Sequence, residues 1–146
     1  MKIHQLSLFL ENKPGQMGEP CRLLAGAGID IRTLTLADTE RFGILRMIVS
    51  DWEAARTLLD GAGYVVNVAE VVAVEVPDRP GGLARLLDLF QDSEVNIEYM
   101  YAFTSGRAGR AVLIFRFDRP DAAIEHLRAR GVNVLADVEV YDRIAV

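Results

Sequence analysis

The pattern of hydrophobic and polar positions changes period several times along the chain, and each change predicts a new secondary-structure element. Residues 3–10 alternate between apolar and polar side chains, which is typical of a half-buried strand. After a turn at Pro14 and Gly15, apolar residues recur at helical spacing until glycines end the helix. The first half then continues with a strand at Ile29–Ala37, a turn at Glu40–Gly43, a strand at Ile44–Val49, a helix marked by Trp52, Ala55 and Leu59, and a strand at Tyr64–Val68.

The second half of the chain predicts the same elements in the same order. They are a strand at Val71–Val76, a helix marked by Leu83, Leu87 and Phe90, strands at Val95–Thr104 and Ala111–Phe117, a helix marked by Ile124 and Leu127, and a last strand from Val132 onward. Ser50 with Glu53 matches a capping box, and Asp118 is predicted to cap the corresponding helix of the second half. Each half is therefore βαββαβ, which predicts an α+β protein of two ferredoxin-like units, each an antiparallel sheet with both helices on one face.

An internal repeat accounts for this shared order. Asn12-Lys13-Pro14-Gly15 matches Asp78-Arg79-Pro80-Gly81 at an offset of 66 residues. Further along the offset becomes 68, which carries Gly63 onto Gly131, and a two-residue insertion around Ser105–Gly109 reconciles the two values. The duplication predicts two units, residues 1–70 and 71–146, which we expect to share an interface because units this small bury little surface alone.

Composition and charge narrow the possible functions. Of the 146 residues, 51% are hydrophobic and 25% charged, as in ordinary globular proteins. The net charge is −5 with no cluster of Lys and Arg, which argues against nucleic-acid binding. The single cysteine, Cys21, makes no internal disulfide and excludes cysteine-based metal clusters. The sequence predicts no membrane span and no secretory signal, so a cytoplasmic location is expected.

The order of elements and the motif Asp-Arg-Pro-Gly-Gly-Leu at residues 78–83 resemble the ACT domain. The similarity continues at Val95-Asn96-Ile97, where the second strand of the second unit opens, and is weaker at the corresponding Ile29-Asp30-Ile31. The whole chain is covered, so it resembles a stand-alone pair of ACT units with no catalytic domain attached. The resemblance implies a regulatory protein that binds a small effector, usually an amino acid, at an interface between units near the loop after the first strand.

The chemistry of the loop after the first strand also suits such a ligand. Proline fixes φ, glycine permits close backbone approach, and the following helix N-terminus presents unpaired N–H groups to a carboxylate. Asn and Asp side chains beside the loop and at the second strand offer acceptors for an ammonium group. The predicted ligand-binding residues are Asn12, Pro14, Gly15, Gln16, Met17, Asp30 and Ile31 in the first unit, and Asp78, Arg79, Gly81, Gly82, Leu83, Asn96 and Ile97 in the second. The alternative is that Pro-Gly forms a tight turn and nothing more.

The two loops are not equivalent, because Gly82 replaces Gln16. We therefore expect the second unit to bind the carboxylate better, and a bulky residue at position 82 to abolish binding. Apolar walls at Met17, Tyr99 and Tyr101 favour an aromatic or branched-chain amino acid.

Other functions have less support in the sequence. No catalytic motif, cofactor motif or metal-ligand spacing is present, so no enzymatic role, no cofactor and no metal site is expected. The alternative function is a protein-interaction or dimerisation module that regulates a partner metabolic enzyme without a ligand of its own. The third strand of the second unit, Val112–Phe115, is apolar on both faces, so either the first unit or a second chain must cover it, and we expect a homodimer.

Overall fold

The structure is a computed structural model that describes residues 2–38, 40–103, 108–136 and 139–140. The elements, in chain order, are β1 (Ile3–Glu11), α1 (Gly18–Gly26), β2 (Ile31–Asp38), β3 (Phe42–Val49), α2 (Trp52–Gly61), β4 (Val66–Pro77), α3 (Gly82–Asp88), β5 (Ile97–Ala102), β6 (Arg110–Phe117), α4 (Pro120–Ala129) and β7 (Val134–Leu135). The order βαββαβ is thus present twice, as the period of the hydrophobic pattern predicts.

The chain divides into two compact units. The N-terminal unit is His4–Ala69, and the C-terminal unit is Glu70–Val146 together with Met1–Ile3. Strand β4 contributes residues to both, because it continues through the division at Ala69. The sequence predicted two strands here, but no turn residue separates them, and the structure forms one strand of 12 residues.

In the N-terminal unit the strands lie in the order β2-β3-β1-β4, and both β1 and β2 pair antiparallel with β3. Every second residue of β1 and β3 faces α1 and α2, so one face of the sheet holds the hydrophobic core. The core consists of Leu6, Leu8, Leu10, Leu24, Ile29, Leu45, Met47, Val49, Ala55 and Leu59. This is the predicted ferredoxin-like arrangement with both helices on one face.

The C-terminal unit repeats the arrangement. Strand β6 pairs antiparallel with both β4 and β5, and β7 pairs antiparallel with β4. The core between this sheet and the helices α3 and α4 consists of Val72, Val74, Val76, Leu86, Phe90, Leu113, Phe115, Phe117, Ala123, Ile124, Leu127 and Val134. The last strand, predicted from Val132 onward, has only two described residues. The predicted strand end at Thr104 lies outside the described part of the chain. Of the predicted insertion around Ser105–Gly109, only residues 108 and 109 are described.

Both predicted helix caps are wrong, and for the same reason. Asp51, not Ser50, caps α2, since its carboxylate accepts a hydrogen bond from Ala54 N at 3.0 Å. Ser50 Oγ instead accepts from Asp30 N at 3.0 Å. Asp118 does the same in the C-terminal unit, accepting from Asn96 N at 2.8 Å, and α4 has no side-chain cap. Each predicted cap therefore holds the opening of the second strand.

The apolar strand that led us to expect a homodimer is buried in the structure. Val112 is 4% exposed and Ile114 is fully buried. These side chains therefore supply no reason to invoke a second copy, and the case for a dimer must come from other surfaces.

Candidate functional site

The predicted loop of the N-terminal unit is a tight, hydrogen-bonded turn. Asn12 N donates to Arg41 O at 3.0 Å, which joins the start of the loop to the β2–β3 turn. Gly15 has φ +84°, a conformation that side chains other than glycine rarely adopt. Gly18 N donates to Gly15 O at 3.3 Å, and α1 begins at Gly18. Asn12, Pro14 and Gly15 are exposed, while Gln16 and Met17 are half-buried.

The loop of the C-terminal unit has the same geometry. Asp78 N donates to Gly109 O at 2.8 Å, Gly81 has φ +87°, and Gly82 N donates to Arg79 O at 3.0 Å. The N–H of Gly82, at the predicted carboxylate-binding loop, is thus used within the turn. The helix that follows, α3, has only seven residues, so we place no anion site at its N-terminus.

Gly82 has a packing role that the sequence did not indicate. It is buried, and a Cβ added to it would lie 2.2 Å from Pro77 O. The backbone of α3 therefore passes too close to the end of β4 for any side chain. Glycine at this position is explained by contact within the unit, so the effect of a bulky residue on ligand binding would not be separable from its effect on folding.

The other predicted residues lie where the second strands open. Asp30 and Asn96 are held by Ser50 and Asp118, and the Asp30 carboxylate forms an ion pair with Arg32 at 3.1 Å. The two isoleucines that follow, at positions 31 and 97, pack partly buried against the cores of their units.

Within each unit, the loop and the strand opening lie at opposite ends of the sheet. Glu11, next to the first loop, pairs with Phe42 at the start of β3, whereas Ile31 pairs with Val49 at its end. An eight-residue strand separates these ends by roughly 23 Å at ~3.3 Å per residue. The C-terminal unit has the same separation, because Pro77 pairs with Arg110 and Ile97 with Phe117. One small ligand therefore cannot contact the loop and the strand opening of the same unit.

Two cavities border the loop of the C-terminal unit. The first, which we call the Arg85 cavity, has a volume of about 300 Å³. It is lined by Glu75, Val76, Pro77, Gly82, Arg85, Leu86, Leu89, Arg110, Gly131, Val132 and Asn133. In it the guanidinium of Arg110 donates from Nε to Glu75 Oε1 at 2.8 Å, and the Glu75 side chain is only 6% exposed.

The second cavity, the Phe103 cavity, has a volume of about 320 Å³. It is lined by Val76, Pro77, Asp78, Arg79, Leu83, Ala102, Phe103, Ala111 and Leu113. In the N-terminal unit, Asn12 and Lys13 line a shallow cavity with Glu11 and residues 40–42. The loops thus border cavities in both units.

Sequence reasoning missed three charged residues of the Arg85 cavity: Glu75, Arg85 and Arg110. A comparison of the two halves would have indicated them. At the offsets of the repeat they replace Phe9, Glu19 and Phe42, so the halves differ in charge at these three positions.

The fold and these cavities define a duplicated ferredoxin-like protein with candidate small-molecule sites beside the loop after each first strand. The sequence matches the family described as "ACT domain pair" over residues 1–144, and the chain belongs to this family. The family and the fold class that the sequence predicted are therefore confirmed.

Solved structures agree with this assignment. The chain is similar to protein BT0572 from Bacteroides thetaiotaomicron, with 38% identity, a TM-score of 0.90, and coverage of 97% of this chain and 96% of that one. It shares its fold with the ligand-free regulatory subunit of aspartate kinase from Thermus thermophilus, at 19% identity and a TM-score of 0.63, covering 86% and 91% of the two chains. The corresponding subunit from Thermus flavus has 19% identity and a TM-score of 0.60, covering 88% and 93%. A search among curated proteins found no significant match.

Two further observations concern other kinds of site. Among the described residues, no group of three or more His, Cys, Asp or Glu side chains is placed to hold a metal ion. No helix in the described ranges is long and apolar enough to cross a membrane.

Proposed function

We propose that this protein is a non-catalytic regulatory protein that binds an amino acid beside the loop Asp78–Leu83 of its C-terminal unit. One observation carries the proposal. The loop borders two cavities whose linings combine charged side chains of both signs with apolar ones. A free amino acid has a carboxylate, an ammonium group and a side chain, and such a lining offers a partner to each. Membership of the ACT domain pair family supports the same function.

A thermal-shift screen against the twenty amino acids, followed by calorimetry, tests the proposal. A ligand that binds only the native state raises the free energy of unfolding by RT ln(1 + [L]/Kd), or about 2.7 kcal/mol at a hundredfold excess over Kd. We expect a selective increase in Tm with saturable heat of binding. If no amino acid shifts Tm or gives a saturable heat, the proposed function is wrong.

A second candidate is an interaction module that pairs with another copy of itself, and one surface favours it. Strand β2 lies at the edge of the sheet of the N-terminal unit, and it exposes Leu34 (41%) and Leu36 (51%) next to the exposed Phe42. An exposed apolar edge strand is an aggregation hazard that proteins usually cover. We propose that a second copy of this chain covers it, forming a homodimer. A regulated partner enzyme would then bind the dimer.

A further inference from the structure

The Arg85 cavity carries an unbalanced positive charge. Among the described residues that line it, the one carboxylate is that of Glu75, which is already paired with Arg110. The guanidinium of Arg85 forms no hydrogen bond or ion pair with any residue in the described ranges, and it lies 3.9 Å from the position of a Cβ on Gly81. An unpartnered guanidinium folded back over the loop and lining a cavity is a ready partner for a carboxylate.

The N-terminal unit provides an internal comparison, because the repeat places equivalent residues in equivalent contacts. Phe9 N donates to Val65 O at 3.4 Å, and Glu75 N donates to Asn133 O at 3.1 Å. At the equivalent positions, however, the charged pair Glu75–Arg110 is replaced by two phenylalanines, at positions 9 and 42. The polar character of the Arg85 cavity therefore belongs to one unit and is not required by the fold.

The position equivalent to Arg85 has the opposite charge. It is Glu19, whose side chain accepts a hydrogen bond from the Tyr64 hydroxyl. Tyr64 is equivalent to Val132, which lines the Arg85 cavity. A ligand carboxylate would thus meet a guanidinium in the C-terminal unit and a carboxylate in the N-terminal unit.

The remaining walls of the Arg85 cavity determine the class of ligand. Val76, Leu86, Leu89 and Val132 are aliphatic, and none of the described residues that line the cavity is aromatic. Its volume of about 300 Å³ is at the lower end for small-molecule sites, which span ~300–1,000 Å³. The cavity therefore suits a short aliphatic body attached to a carboxylate.

We propose that the Arg85 cavity binds a small aliphatic amino acid, with the ligand carboxylate on Arg85 and its side chain against Leu86, Leu89 and Val132, and that each chain binds one such molecule. This inference rests on the proposed function and makes it more specific. It assigns binding of the carboxylate to the guanidinium of Arg85, and it predicts no binding at the equivalent position of the N-terminal unit, Glu19.

Calorimetry with three probes and three variants tests the assignment. The probes are L-leucine, L-valine and 3-methylbutylamine, which is leucine without its carboxylate. Arg85→Glu introduces the residue found at the equivalent position of the N-terminal unit, and Arg85→Lys keeps the charge. Arg56→Gln is a matched control, because Arg56 is an exposed arginine on α2 that lines none of the cavities described above and forms an ion pair with Asp60 at 3.8 Å. Arg85 is exposed, as is its equivalent Glu19, so both substitutions at position 85 are expected to leave the fold intact.

We expect wild type and Arg56→Gln to bind L-leucine or L-valine with one site per chain, Arg85→Lys to bind more weakly, and Arg85→Glu to bind at least tenfold more weakly than wild type. The amine is expected not to bind. Equal affinity of wild type and Arg85→Glu would overturn this assignment while leaving the proposed function intact. Tighter binding of a charged or aromatic amino acid, found in the thermal-shift screen and measured by the same calorimetry, or equal binding of the amine, would overturn the aliphatic carboxylate class. If no amino acid binds wild type at all, the proposed function itself is wrong.

Discussion

At the scale of single residues, Gly82 shows how tightly the loop of the C-terminal unit is packed. Because a Cβ at position 82 would lie 2.2 Å from a backbone oxygen, the loop or the helix must move to accept it. We expect Gly82→Ala to lower the free energy of unfolding by about 1–3 kcal/mol, the usual cost of overpacking. In urea denaturation, this loss appears as a lower midpoint concentration of urea, while the dependence of the unfolding free energy on urea concentration stays the same.

A second glycine provides the control for Gly82→Ala. Gly61 is the last residue of α2, has no atom within 4 Å of a Cβ, and does not have a positive φ. Gly61→Ala should therefore leave stability unchanged or raise it by up to about 1 kcal/mol. A Gly82→Ala protein as stable as wild type would contradict the packing role.

The environment of Tyr64 predicts how the free energy of unfolding depends on pH. Burial, and then the hydrogen bond to Glu19, raise the pKa of its phenol above the ordinary value of 10.0. The folded protein thus holds this proton more tightly than the unfolded chain does. The resulting stabilisation is complete below pH 10 and is lost as the pH rises through the folded-state pKa.

The variant Tyr64→Phe tests this linkage. The free energy of unfolding of wild type relative to Tyr64→Phe should be larger at pH 8 than at pH 11, as measured by urea denaturation at both values. Glu19→Gln should reduce the pH dependence, because it removes the acidic partner of the hydroxyl. A difference between wild type and Tyr64→Phe that is independent of pH would show that the phenol has no raised pKa.

At the scale of elements, the existence and type of the helices and strands were predictable, but their caps were not. Ser50 and Asp51 are adjacent and both suit an N-cap, so local sequence cannot choose between them. The choice is made by Asp30, 20 residues away, which engages Ser50 and leaves Asp51 to the helix. Contacts of this range are set by the assembled sheet and are invisible to a local motif.

The cap assignment predicts how three variants at the start of α2 differ in stability. Asp51→Ala removes the bond to Ala54 N and should cost about 0.5–2 kcal/mol. Ser50→Ala removes the bond to Asp30 N and should cost about 0.5–1.5 kcal/mol. Glu53→Ala should change stability little, because the predicted capping box does not form. Urea denaturation gives the free energy of unfolding of each variant. If Glu53→Ala is destabilised as much as Asp51→Ala, the predicted capping box does form.

At the scale of the whole molecule, the family and the duplicated fold were predictable because turn signals and apolar periods recur in both halves. The separation of the loops from Asp30 and Asn96 also follows from topology, since two parallel strands joined by a helix begin at the same end of a sheet. A loop after the first strand must then lie opposite the start of the second. The Arg85 cavity is different, because it depends on which side chains of β4, α3 and β6 come together, and only the charge differences between the repeats point to it.

The exposed edge of the N-terminal unit leads to a prediction about assembly. In a homodimer formed through β2, each buried leucine contributes twice, because the twofold axis repeats the contact. Burying one leucine stabilises by ~1.5–3 kcal/mol, so Leu36→Lys should weaken the dimer by roughly a hundredfold or more. Sedimentation equilibrium should give twice the chain mass of 16.1 kDa for wild type and close to one chain mass for the variant.

A control separates a specific interface from a general effect of surface hydrophobicity. Val65 is exposed at 63% but lies outside β2, so Val65→Lys should sediment as wild type does. If both lysine variants dissociate the dimer equally, the contact is not confined to this edge. If wild type sediments as a monomer at every concentration, the exposed leucines do not join two copies, and the regulatory role depends on the ligand site or on a different partner.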